Sequence, residues 1–149
     1  MPNYDTDRND DPGLTLQRST DGIDSTDAAA VQSWRLPMTT ERLDMPARLQ
    51  LWFAPASTPG TGFMVLEAGL FDCAATGEDC VELARDTAVL QPEPDVFQGV
   101  SFVLVSPGGE HELEPGRRAE IRIAVPGGAA DAMVAFDSTE YPATVTFGR

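Results

Sequence analysis

A chain of 149 residues has the length of one ordinary domain, and its 42 % apolar content places it among globular rather than disordered proteins. Its 24 acidic residues against ten basic ones give a formal charge of −14, and every basic residue is arginine. This excludes a Walker-type phosphate loop and any lysine nucleophile or Schiff base, and it argues against nucleic acid or an anionic membrane as partner.

The first twelve residues are polar and acidic. In "NYDTDRNDDPG", Asp5, Asp7 and Asn9 fall at alternate positions, the spacing by which calcium loops curl oxygens around one ion. An EF-hand is rejected, because it needs Gly where Asp10 stands and Glu where Leu16 stands. Two readings stay open: a solvated acidic tail, or a looser calcium site in which Asp5, Asp7 and Asp11 gather with a carboxylate such as Asp137 from a neighbouring strand. Carboxylates brought that close repel one another unless a cation sits among them.

Residues 13–149 read as a single domain. "GLTLQRS" is the first segment to alternate, and "TDGIDSTDAAA" follows as a second polar stretch. Within it, "STDAAAVQS" predicts a single helical turn capped by Ser25 or Thr26. "VQSWRLP" places Trp34 in the core. "RLQLWFA" then puts Leu49, Leu51 and Phe53 on one face and turns Trp52 to the other, where it is a candidate ligand contact. In "GFMVLEAGLFDCAATGEDCVELARDTAVL", two apolar strands flank a short loop, with Cys73 and Cys80 facing each other across its base. A disulfide is expected there, and with it an oxidising compartment.

Further along, "GVSFVLV" buries Val100, Phe102 and Leu104. The sole histidine, His111, lies between two turns in "PGGEHELEPG" and is expected to face solvent. "RAEIRIAV" turns Ala119, Ile121, Ile123 and Val125 inward and Glu120 and Arg122 outward. "DAMVAFDS" carries Asp131 and Asp137, which share a strand face and are read as structural or as metal-site contributors. "ATVTFG" closes the chain with Val145 and Phe147 alternating against threonines. Turn chemistry bounds each segment, so about eight or nine short strands are expected, stacked as two antiparallel sheets. No stretch approaches the roughly 20 apolar residues of a membrane span, and the N-terminus lacks the pattern of a signal peptide. The chain is therefore expected to be cytoplasmic or a module of a longer exported protein, and the cysteine pair favours the second.

"NYDTDRNDDPGLTLQRS" leading to "SWRL", then "LEPGRRAEIRIAV" and "VAFDSTEYPATVTF", resemble a jelly-roll β-sandwich module of large secreted and cell-surface proteins of bacteria and archaea. The module is similar to galactose-binding-like domains and to the C-terminal domain of X-prolyl dipeptidyl-peptidase-type hydrolases. The matching positions are Tyr4, Asp5, Asp7 and Arg8, then Gly116 and Arg118, then Asp137, Tyr141 and Pro142. Ala143 and Thr144 depart from the family's Ser-Arg. The resemblance implies a module embedded in a longer exported chain, and the expected role is a non-catalytic accessory or binding module at the cell surface whose partner is a protein or a glycan. The expected cofactor is calcium. Three further readings are a carbohydrate-binding module using Trp52 and Tyr141, an accessory domain of a secreted hydrolase, and a structural subunit of a surface assembly.

Overall fold

The computed structural model describes residues 14–36, 42–56, 62–135 and 143–148. Among these residues the protein is all-β apart from one 3-10 turn, Gly22–Asp24. The strands are β1 (Leu14–Leu16), β2 (Val31–Arg35), β3 (Arg42–Asp44), β4 (Ala47–Pro55), β5 (Met64–Ala74), β6 (Val81–Leu90), β7 (Gln98–Leu104), β8 (Glu110–Glu112), β9 (Arg117–Gly128), β10 (Ala132–Ala135) and β11 (Thr144–Phe147). Eleven strands exceed the expected eight or nine because β3 and β8, with only three residues each, are too short to show alternation.

Two antiparallel sheets form the sandwich. In the first, β4 is the hub: it pairs with β7 over Ala47–Phe53, with β10 over Trp52–Pro55 and with β11 over Ala47–Gln50. Because β10 and β11 use different stretches of β4, they lie end to end along the edge opposite β7. β1 pairs outside β10. The second sheet runs β2-β9-β5-β6, and β3 and β8 form a separate two-stranded ribbon.

Period-two patterning places the core as expected. Leu49, Leu51, Phe53, Val100, Phe102, Leu104 and Val134 from the first sheet meet Trp34, Leu66, Leu70, Ile121 and Ile123 from the second, all buried in one cluster. Phe53 and Phe102 meet edge to face, with centroids 6.4 Å apart.

The helical turn expected in "STDAAAVQS" is replaced by a tighter device. Asp27 Oδ1 accepts from the Ala29 N–H at 2.9 Å and the Ala30 N–H donates to Asp27 O at 3.0 Å, closing a turn, and Val31 already pairs with β9. The 3-10 turn sits earlier, at Gly22, whose φ of 57° suits glycine. It packs Ile23 onto the outer face of the second sheet, over Gly69, where an added Cβ would lie 2.5 Å from Ile23 Cδ1. Ile23, Phe71, Cys73 and Ala124 thereby form a second, smaller core on that face. This cover explains why Glu120, expected outward, does leave the main core yet remains buried.

Candidate binding face

The solvent side of the five-stranded sheet collects side chains in rows, because antiparallel register aligns residues of like parity. Thr144, Gln50 and Ser101 form one row across β11, β4 and β7, and Thr146, Arg48 and Val103 form the next. Ala135, Trp52 and Gly99 form a third. Ser101 Oγ donates to Gln50 Oε1 at 2.9 Å, which fixes the amide and turns its NH2 toward Gly99. A groove of about 210 Å³ runs between these rows, lined by Arg48, Gln50, Ser101, Val103, Thr144 and Thr146. Trp52 is half-buried beside it. Its indole lies across the bare backbone of Gly99, where an added Cβ would fall 3.3 Å from Cη2 and 2.7 Å from Gln50 Nε2. Trp52 thus points away from Leu51 and Phe53, as its parity predicts.

The remaining predicted residues divide clearly. Cys73 and Cys80 are bonded, with sulfurs 2.15 Å apart, at the base of the β5–β6 hairpin. Asp5, Asp7, Asp11, Asp137 and Tyr141 lie outside the described residues. Asp131 precedes β10 and its Oδ1 accepts from the Arg18 backbone N–H and from Arg18 Nε, both at 2.9 Å. That backbone hydrogen bond, with the guanidinium beside it, holds the Asp131 carboxyl below its usual pKa against the opposing effect of partial burial.

His111 departs from expectation. It sits half-buried on β8, and its Nε2 lies 2.8 Å from Asp72 Oδ2. The other oxygen of Asp72 accepts from Arg117 Nε at 2.5 Å, and Arg117 also donates to the carbonyls of Asp72 and Asp79. The hydrogen bond to the Asp72 carboxylate, with the charges of Asp72 and Asp79 beside it, raises the Arg117 pKa above its usual value against partial desolvation. The cluster docks the β3–β8 ribbon against the end of β5. Its signal in the sequence is Asp72 inside an otherwise apolar run.

A second network on the outer face of the other sheet also escaped sequence reasoning. Glu67 Oε1 accepts from the Ile23 N–H at 2.9 Å, and Arg85 reaches Glu82, Asp24 and Glu67 at 2.5, 3.1 and 3.3 Å. The hydrogen bond to Glu82, helped by Asp24 and opposed by burial, raises the Arg85 pKa. Cys73, Cys80 and Glu120 bring potential ligand atoms within 4.8 Å of one another. That set does not suit a cation in this state, because the sulfurs are bonded to each other and Glu120 Oε2 accepts from Arg122 Nε at 2.7 Å. Among the described residues no helix is long and apolar enough to cross a membrane. Comparison with protein-family models matches none of them, and a search of curated proteins returns no match.

Proposed function

We propose that this chain is a non-catalytic binding module of an exported or cell-surface protein, and that it takes a glycan on the open face of its five-stranded sheet. The observation that carries the reading is the juxtaposition of the Trp52 indole with rows of amide, guanidinium and hydroxyl groups on a rigid sheet. A sugar ring presents hydroxyls at its rim and C–H groups on its faces, and these match polar side chains and an indole respectively. The disulfide supports an oxidising compartment. The resemblance to jelly-roll modules of surface proteins supports the same role, and the alternate spacing of acidic residues at the start of the chain supports calcium near Asp5, Asp7, Asp11 and Asp137.

The test is a glycan array followed by calorimetry on the best binder. Trp52→Ala and Gln50→Ala should each weaken binding about tenfold or more, corresponding to about 1.4 kcal/mol, with melting temperature and circular dichroism recording an intact fold. Absence of binding to any glycan, or binding that neither substitution affects, would remove the proposal. For calcium, thermal melts with added calcium and with chelator should differ by several degrees, and coincident melts would discard the ion.

A further inference from the structure

On the opposite sheet, arginines converge where the charge of the chain would not lead one to look for them. β2 places Ser33 and Arg35 on its outer face, and β9 places Arg118, Glu120 and Arg122 beside them. Arg35 is the register partner of Glu120. Arg118, two residues earlier on β9, is therefore its diagonal neighbour at roughly 7–8 Å between Cα atoms. Ser33, Arg35, Ala75, Arg118 and Glu120 line an open groove of about 570 Å³.

The groove has three notable chemical features. Glu120, the carboxylate in its lining, is buried and engaged by Arg122, which itself lies 4.1 Å from the centre of the Phe71 ring. Arg35 is held by carbonyls: it donates to Ala75 O at 2.9 Å and to Thr76 O at 2.7 Å, which leaves three of the five guanidinium N–H groups available. Gly77 permits this, since an added Cβ would fall 2.5 Å from Arg35 Nη2. Arg118 is exposed and has no partner among the described residues. One guanidinium is thus positioned by the disulfide-closed loop, and a second is free to swing toward it.

We infer that Arg35 and Arg118 form an oxyanion site for a sulfate or phosphate group, free or as an ester on a larger ligand. Two forks at diagonal positions present more N–H donors than the two oxygens of a carboxylate can accept, whereas a tetrahedral dianion offers oxygens to both. The site is separate from the glycan face and stands without it.

The experiment is calorimetry at low ionic strength with sodium sulfate, sodium phosphate and a sulfated disaccharide as probes, and sodium acetate and chloride as controls. Sulfate or phosphate is expected to bind the wild type at least tenfold more tightly than acetate. Arg118→Gln, which removes no contact seen among the described residues, should lose about tenfold in affinity at unchanged melting temperature. Arg118→Lys should lose about threefold, keeping the charge without the fork. A disaccharide that binds more tightly than free sulfate assigns an esterified source, and equal affinities assign the free ion. Sulfate affinity unchanged in Arg118→Gln, or chloride competing as well as phosphate, would overturn the assignment.

Discussion

Asp72 shows what one carboxylate does when a strand carries it into a nearly closed position. Its side chain is only 10 % exposed, and its oxygens serve His111 and Arg117 on two other elements. Asp72→Ala would take a carboxylate from His111 and Arg117, leave Arg117 its carbonyl partners and loosen the β3–β8 ribbon, at an expected cost of about 1–3 kcal/mol in denaturant melts. Asp131 gives a pH signature of definite sign. Its folded pKa is depressed, so its contribution is fully present above the unfolded carboxyl value and is lost as pH falls through the folded one. Asp131→Asn should therefore cost less than about 1 kcal/mol at neutral pH, given the exposed pair, and nothing once both states are protonated. A stability gap between the proteins that persists in strong acid would contradict this. The sequence reveals which residues are apolar at even spacing, but not that Asp72, Glu67 and Glu120 lie under cover. Arg122 is a same-strand neighbour of Glu120, whereas Arg117, Arg85 and the Ile23 N–H are brought close by pairing and packing that no local pattern encodes.

At the level of the element, period-two alternation was enough to find β4, β7 and β9, because one face of each is solidly apolar. It was also enough for the hairpin, where turn residues and facing cysteines agree. Removing both thiols with Cys73→Ser and Cys80→Ser should lower stability by about 2–3 kcal/mol, the loop-closure contribution of so short a ring. The same pair of substitutions loosens the carbonyls that hold Arg35, so sulfate affinity should fall along with it. The 3-10 turn was missed because its role is tertiary. Ile23 is 1 % exposed only by virtue of the space that Gly69 leaves on another strand. Ile23→Ala should cost about 2–5 kcal/mol by differential scanning calorimetry, the range for a truncated buried isoleucine.

Taken whole, the molecule carries −14 charges, and five of the eight described arginines are committed to carboxylate pairs, so self-repulsion opposes the compact state. Raising sodium chloride from about 10 mM to about 0.5 M should screen that repulsion and lift the melting temperature by a few degrees. A fall would mean that the Arg–carboxylate networks outweigh it. The sandwich architecture was legible from turn spacing, yet the sharing of one β4 edge by β10 and β11 was not, since two short strands laid end to end mimic one. β1, at Leu14–Leu16, finds its partner at Ala132–Val134, more than a hundred residues later. During synthesis, then, the first strand waits unpaired until the residues of β10 have left the ribosome. A translocation machine that threads extended chains would receive this one before its first sheet could close.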